Sequence, residues 1–341
     1  MPATIKPEHD FARVIAISSG KGGVGKSTLA SNLGIALANA GKKVCLFDAD
    51  TNLANINILL GITPLHTLEH FFNNDRSIYD VLTKGPGGID IVCGASGITD
   101  FIQYSPLQQK KLLQGLHTLE QDYDYLLIDT AAGVDETNIR LILAAPYLLL
   151  TITGEPTSLT DAFSLLRILK KHHFHQPVLV VVNMAAEHRS AQTTFRRFKK
   201  AANKYLQLQQ LHLAGYVLAD KNISLSVLNQ QAILLNYPDS PASRCILQIC
   251  KRLLTVFSNN KQHKTPFSDY FYDLALPDDI DLDTVNTELI STPDIMTTQK
   301  RSEITRPDLL AEGLLAAGLS QTGLLRASHY ARLLGEKKFN R

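Results

Sequence analysis

The sequence has no tryptophan, three methionines and only four cysteines among its 341 residues. No two of the cysteines have the C-x-x-C spacing of a zinc or redox site, so a disulfide framework or a structural metal is not expected. Cys45 and Cys93 lie within apolar, strand-like runs, where buried and unreactive thiols are the usual case. The cysteines therefore predict no cofactor.

Long hydrophobic runs are also missing. No uninterrupted apolar run reaches the roughly 18 residues that a membrane-spanning helix needs, and the N-terminal stretch MPATIKPEHDFA has no apolar core of signal-peptide length. We therefore expect a soluble, cytoplasmic protein. The formal net charge of +2 is too small to imply nucleic acid or an anionic surface as a partner.

Short β-rich runs alternate with helical patterns over most of the chain. Continuous apolar strands separated by helices indicate a mostly parallel sheet with helices on both faces, which is the doubly wound α/β class. Ser240 and Pro241 have the residue types of an N-cap and a first helical residue, so a helix is predicted from there to about Phe257. The predicted strands are 13–18, 43–48, 89–94, 125–129, 147–153, 178–183 and 211–217.

The composition changes after Phe257. The sequence predicts an α/β domain over 12–257, a polar and acidic linker over 258–306 and a helical C-terminal tail over 307–341. Between Asp269 and Asp294 there are several acidic residues and no Lys or Arg, a composition typical of a solvated tether.

Residues 18–28 read SSGKGGVGKST and match the phosphate-loop pattern G-x-x-x-x-G-K-S/T between a strand and a helix. In this motif glycines let backbone N–H groups surround a phosphate, and the helix N-terminus adds positive potential. Lys26 is predicted to neutralise the β- and γ-phosphates, and the Ser27 hydroxyl to bind Mg²⁺. The predicted nucleotide-binding residues of the loop are Gly20, Lys21, Gly22, Gly23, Val24, Gly25, Lys26, Ser27 and Thr28.

A second lysine, Lys21, is not needed for that cradle. The form K-G-G-x-G-K-S/T resembles the deviant Walker A motif of the MinD/ParA family of P-loop ATPases. The resemblance implies ATP and Mg²⁺ as cofactors, slow ATP hydrolysis and an ATP-dependent homodimer. It also implies that Lys21 contacts the nucleotide of the partner subunit, which makes it catalytic together with Lys26 and Asp50.

Two aspartate segments support this resemblance. In LFDADTNLANINILLGI the family pattern assigns Asp48 to the magnesium environment and Asp50 to positioning the attacking water. In YLLIDTAAGVDET, Asp129 ends a strand as a Walker B aspartate that holds Mg²⁺ through water. Gly133 would let the following loop sense the γ-phosphate. Asn183 stands where the family reads adenine with a side-chain amide, although it is also an ordinary strand-end residue.

Several segments in the same order are similar to the FlhG/FleN branch, whose members set the number and placement of bacterial flagella: DADTNLANINILLGI, LLIDTAAG, GEPTSLTDAFSLLRIL, VVVNM and LLNYPDSPASR. This resemblance covers about residues 12–257. Family members have Gly where Thr51 and Asn52 stand, so a local change in switch I is one reading. The N-terminus shows no clear D-Q-A-x-x-L-R segment, which puts activation of an FlhF-type GTPase in doubt.

Three other readings stay open. The basic helical segment RSAQTTFRRFKKAANKY suits a ParA-like ATPase that binds DNA to partition or position a cargo, although a solvated helix face is the usual explanation of such charges. A reductase related to the nitrogenase iron protein shares the loop but needs cysteine ligands that the segment TAAGVDETN lacks. The basic, amphipathic tail either binds the inner face of the cell membrane or docks on protein.

Overall fold

The computed structural model describes residues 11–50, 56–73, 76–93, 104–259 and 266–275. Its strands form one sheet in the order β3-β4-β2-β5-β1-β6-β7-β8, and only the β3–β4 pair is antiparallel. The predicted doubly wound α/β class is thus confirmed. The strands are β1 Arg13–Ser19, β2 Val44–Ala49, β3 Leu82–Lys84, β4 Asp90–Val92, β5 Tyr125–Ala132, β6 Tyr147–Ile152, β7 Val178–Ala185 and β8 Leu211–Leu218.

Helices cover both faces of the sheet. Successive residues of β1 divide between two cores, with Val14 and Ala16 packed against one helix layer and Ile15 and Ile17 against the other. This is why the strands read as continuous apolar runs. The helices are α1 Lys26–Asn39, α2 Ile56–Leu59, α3 Leu68–Asn73, α4 Pro106–Asp122, α5 Glu136–Ala144, α6 Pro156–Lys171, α7 His188–Ala201, α8 Lys221–Leu228, α9 Ile233–Asn236, α10 Pro241–Asn259 and α11 Phe267–Ala275.

The two layers have different members. Buried side chains of α4, α5, α6, α7 and α11 pack into the core on one face of the sheet, and α1 and α10 supply most of the helical residues of the core on the other face. Three short turns complete the described part: 3-10 turns at Ile78–Val81 and Pro86–Gly88 and a π-helical turn at Ala202–Leu206 that extends α7. The predicted cap of α10 is present, because the hydroxyl of Ser240 accepts a hydrogen bond from the backbone N–H of Ser243 at 3.1 Å.

Helix α11 lies inside the stretch 258–306, where the sequence predicts linker. Its two aromatic residues Phe267 and Phe271 are fully buried and stack with ring centroids 5.7 Å apart. The buried carboxylate of Glu120 accepts hydrogen bonds from the backbone N–H groups of Phe267 at 2.6 Å and Ser268 at 3.1 Å. The linker prediction is therefore wrong for residues 267–275, because an aromatic pair four residues apart gives this short helix a face to bury. The predicted tail 307–341 lies outside the described residues.

Candidate functional site

The phosphate loop joins β1 to α1. Gly23 and Gly25 have φ angles of 78° and 82°, a left-handed conformation that favours glycine. At Gly20 the chain passes so close to α6 that an added Cβ would lie 2.1 Å from the backbone carbonyl carbon of Asp161. The loop therefore needs glycine at these positions, and it ends at a helix N-terminus, which is an anion-binding arrangement.

Lys26 lies inside this cradle with a side chain only 6% exposed. Its ammonium donates to the Asp129 carboxylate at 2.7 Å, lies 3.5 Å from the Ser27 hydroxyl and is 3.9 Å from the Asp50 carboxylate. One cation thus joins the loop, the residue that follows β2 and the second half of β5. The phosphates of a nucleoside triphosphate need a positive charge at this point of the loop.

Asp48 and Asp129 are register neighbours on the parallel strands β2 and β5. Asp48 is held by the backbone N–H groups of Asp50 at 3.3 Å and Ile56 at 3.2 Å. Burial and the charge of Asp129 raise the pKa of Asp48 to about 7. Burial likewise raises the pKa of Asp129, which Lys26 opposes. The two carboxylates thus resist ionising together unless a further cation joins them.

These residues fit a magnesium ion. One Asp129 oxygen is buried without a hydrogen-bond partner, and Asp48 and the Ser27 hydroxyl add further oxygens, which are the ligands that Mg²⁺ prefers. In the described part of the chain no cluster of three or more His, Cys, Asp or Glu residues is placed to hold a metal on its own. Two carboxylates and one hydroxyl from the protein suit a Mg²⁺ whose coordination shell is completed by substrate phosphates and water.

The loop after β5 is anchored to the phosphate loop's own strand. The N–H of Gly133, whose φ is 104°, donates to the carbonyl of Ser19 at 3.0 Å. The side-chain amide of Asn138 donates to the carbonyl of Gly133 at 2.8 Å, and Asp135 caps α5 by accepting from the N–H of Asn138 at 2.9 Å. A displacement of Gly133 would therefore reach α5 directly.

Asn183 is the last residue of the uninterrupted buried run of β7 and lies next to the loop. Its amide donates to the carbonyl of Val24 at 2.7 Å, and its oxygen accepts from the N–H of Met184 at 2.9 Å. A largely apolar cavity of about 900 Å³ opens beside it. Sequence analysis did not identify the following cavity residues, because they belong to no short motif and come from the end of β7, from β8 and the loop after it, and from α8 and α10: Met184, Val217, Ala219, Asp220, Lys221, Ile223, Ser224, Val227, Leu228 and Ile246.

Lys21 does not share the cradle of Lys26. Its ammonium donates to the Glu155 carboxylate at 2.7 Å and to the Thr157 hydroxyl at 2.9 Å, both at the start of α6. The side chain is 37% exposed. The loop therefore carries one buried cation and one cation on its outer rim.

The structure thus gathers Lys26, Ser27, Asp48, Asp50 and Asp129 at one sheet edge, with Thr28 at the start of α1 and Asn183 beside Gly25. It places Lys21 apart from them. The individual roles assigned from the sequence stay predictions. Thr51 and Asn52 lie outside the described residues.

A family model for ParA, described as "NUBPL iron-transfer P-loop NTPase", matches residues 10–254. The chain belongs to the ParA family of P-loop NTPases. The predicted ATPase activity and the ATP and Mg²⁺ cofactors are confirmed at the level of this family. In the described part of this ParA-family chain, no helix is both long and apolar enough to cross a bilayer.

Similar proteins include an antiactivator and a flagellum site-determining protein. The ParA-family chain is 36% identical to the antiactivator FleN of Pseudomonas aeruginosa, over 71% of this chain and 86% of that protein. It is 27% identical to the flagellum site-determining protein YlxH of Helicobacter pylori, over 71% and 82%. A solved structure of MinD with Mg-ADP from Pyrococcus horikoshii has the same fold, with a TM-score of 0.57, 22% identity and coverage of 72% and 97%.

The cysteines of this ParA-family chain do not suit metal transfer, although the family description mentions iron. Cys45, Cys93, Cys245 and Cys250 are all buried free thiols. Burial raises the pKa of Cys93 to about 12 and that of Cys250 to about 11. Because a thiol binds metal as the thiolate, these environments oppose ligation.

Proposed function

We propose that this ParA-family ATPase is a molecular switch whose ATP-bound form is a homodimer. The observation that carries the proposal is the separation of two lysines on one loop. Lys26 fills the phosphate cradle, whereas Lys21 stands on the outer rim and contacts Glu155 and Thr157. This separation supports the proposal, because a rim cation that its own cradle does not use could meet the phosphates of a second subunit.

Within one subunit, the loop amides and Lys26 would bind the phosphates. Ser27, Asp48 and Asp129 would hold Mg²⁺, which supplies charge neutralisation of the triphosphate when bound. Asp50 would orient the attacking water, and Asn183 with its cavity would receive the adenine. Phosphoryl transfer needs mainly positioning and charge from the protein, so slow hydrolysis serves as the timer of the switch.

The test is the mass of the protein in solution with ATP and Mg²⁺, measured by light scattering for two variants. Lys21→Ala should stay monomeric. Asp50→Ala should accumulate the dimer, because it removes the group that orients water. Lys42→Ala is the matched control, since Lys42 is exposed and distant from the loop in the sequence. Normal dimerisation of Lys21→Ala would overturn the proposal.

We infer further that the switch acts on flagellar number or placement, with a flagellar regulator or an FlhF-type GTPase as protein partner. The similarity to FleN and YlxH supports this. Counting flagella in cells that lack the gene, and in cells complemented with the Lys21→Ala variant, tests it. An unchanged flagellar pattern in the deletion would reject this cellular role and leave the ATPase switch untouched.

A second candidate is a ParA-like switch that binds DNA. It is favoured by the exposed cations Arg189, Arg196, Arg197 and Lys200 on α7. Retention on duplex DNA with ATP present should then fall steeply with salt, because each phosphate contact releases counterions. Negligible retention at low salt would remove this candidate.

A further inference from the structure

The charge of this chain is divided unevenly along the sequence. Residues 162–219 contain nine Lys or Arg and a single acid, Glu187, although the whole chain has a formal net charge of only +2. Residues 276–294, which follow α11, contain six Asp or Glu and no Lys, Arg or His. A nearly neutral total therefore conceals one strongly basic and one strongly acidic region.

The structure gathers part of the basic region into one surface, which we call the basic face. It lies on the last turn of α6, the second half of α7 and the π-helical turn, and consists of the exposed residues Lys170, Arg196, Arg197, Lys200 and Lys204. Lys170 donates to the carbonyl of Leu206, which joins α6 to the turn. Helix α6 begins beside Lys21 and ends at the basic face. The basic face therefore lies at the opposite end of the parallel strands from the phosphate loop.

The cations of the basic face have no acidic partner among the described residues. Lys170 and Arg196 donate to backbone carbonyls, and the Lys204 ammonium lies 4.8 Å from the centroid of the Tyr205 ring. The ion pairs of the described chain lie elsewhere. Five exposed cations so close together repel one another, and the face is therefore suited to an extended anion.

We propose that the acidic segment 276–294 binds to the basic face of the same molecule. Helix α11, from which the segment leaves, packs on α4 and α5 in the layer that also contains α6 and α7. Neighbouring helices lie about 8–10 Å apart, so α7 is roughly 20 Å from α5. Nineteen extended residues reach up to about 60 Å, which is ample for the segment to cross α6 and lie along α7.

Tethering strengthens the interaction. Single exposed ion pairs contribute little to stability, but a segment held near its target acts at a high effective concentration, and several charges act together. Bound there, the segment covers the basic face and competes with nucleic acid or anionic lipid. This inference does not depend on the proposed nucleotide-driven dimer.

The test is a distance measurement in the full-length protein between spin labels at Leu282→Cys in the segment and Asn203→Cys on the exposed π-helical turn. The four native cysteines are buried, so the two new thiols are labelled selectively. We expect a short, narrow distance distribution at low salt. It should broaden and lengthen near 1 M salt, where the screening length falls to about 3 Å.

Two sets of four substitutions test whether the basic face is the surface that binds the acidic segment. Arg196→Gln, Arg197→Gln, Lys200→Gln and Lys204→Gln together should release the segment. Lys42→Gln, Lys43→Gln, Lys110→Gln and Lys251→Gln change the net charge equally at exposed positions elsewhere and should leave the distance unchanged. A distance that the first set does not alter, or that both sets alter equally, would overturn the proposal.

Binding to heparin gives a second readout. Converting the six acids of the segment to Asn or Gln should raise the salt needed for elution, and the four substitutions on the basic face should cancel that rise. A face open to external polyanions, such as DNA, would instead bind them as well in the unmodified protein as in the acid-neutral variant. That result would also overturn the proposal.

Discussion

At the scale of single residues, the site depends on two carboxylates that face each other across neighbouring strands. Asp48 and Asp129 are buried and paired in register, and Lys26 compensates only part of their charge. Two buried like charges on neighbouring strands favour a shared proton or an added cation. Their position therefore costs stability in the free protein, and a Mg²⁺ bound there would relieve that cost.

This cost predicts a pH dependence. The pKa of Asp48 is raised from 3.8 to about 7, so the folded protein holds this proton more tightly than the unfolded chain. The contribution of Asp48 to the unfolding free energy should therefore fall as pH rises from about 4 to about 7. Urea unfolding of Asp48→Asn in EDTA should show a variant more stable than the parent by up to about 4 kcal/mol at pH 7.5.

The difference between the two proteins should shrink as the pH falls to 4 and below, because Asp48 then becomes protonated in the unfolded chain as well as in the folded protein. Asp239→Asn, at an exposed position, is the control and should give a nearly constant difference. Asp48→Asn that destabilises the metal-free protein at pH 7.5 would contradict this account of the site.

The contact between Lys21 and Glu155 predicts a second effect. If Lys21 leaves Glu155 to meet a partner's phosphates, that ion pair opposes dimerisation. Exposed ion pairs are worth about 0.2–1 kcal/mol, so Glu155→Gln should lower the ATP concentration at half-maximal dimerisation by about 1.4- to 5-fold. Light scattering against ATP concentration measures this.

Glu69→Gln, an exposed acid on α3, is the matched control for Glu155→Gln and should leave the ATP dependence unchanged. A higher ATP requirement for Glu155→Gln would show that Glu155 supports the dimer rather than holding Lys21 back.

At the scale of elements, α11 shows how a short helix is stabilised by its partners. Nine residues are too few for a stable isolated helix. The N–H groups at its N-terminus donate hydrogen bonds to the Glu120 carboxylate, and its two aromatic rings pack in the core against α4 and α5. Helix α11 therefore belongs to the folded domain, and its loss should lower the unfolding free energy of that whole domain.

Phe271→Ala tests this. The side chain is fully buried, and Phe to Ala substitutions in cores cost about 3–5 kcal/mol. We expect a loss in this range in urea unfolding, while Tyr270→Ala, whose side chain is 46% exposed, should cost little. Similar values for the two variants would show that α11 contributes no cooperative stability.

The elements that the sequence missed are those with few residues and mostly tertiary stabilisation. The other seven strands are predicted because each lies within a largely apolar run of the sequence, even β4, which has three residues. β3, Leu82–Lys84, has only three half-buried or exposed residues at the sheet edge, too few for a pattern. Helix α11 was missed because acidic residues follow it in the sequence. Its stabilising contact with Glu120 also joins residues 147 positions apart, which no local pattern reveals.

At the scale of the whole molecule, parallel topology explains why the site could be assembled from sequence. The carboxyl ends of parallel strands meet at one edge, so the loops after β1, β2, β5 and β7 converge there. Motifs 30 or 80 residues apart therefore predict one site. The cavity beside Asn183 was not predictable in this way, because β8 and α8 line it with ordinary apolar residues that only the fold brings together.

A dimer would carry two copies of the C-terminal tail. Residues 320–341 carry apolar and basic residues, among them Leu324, Leu325, Leu333 and Lys337, which suit the surface of an anionic membrane. One such anchor binds weakly, but two anchors in a dimer bind together, so the second attachment is favoured by its high effective concentration. We therefore expect the protein to sediment with anionic liposomes only when ATP and Mg²⁺ are present.

Deleting residues 320–341 should abolish that sedimentation while light scattering still shows ATP-dependent dimers. Lys21→Ala, with its tail intact, should fail to sediment because only one anchor is available to each particle. If the truncated protein sediments as the parent does, the tail is not the anchor. If Lys21→Ala sediments as well as the parent while remaining monomeric, membrane binding does not depend on the dimer, and nucleotide cannot control it by pairing two anchors.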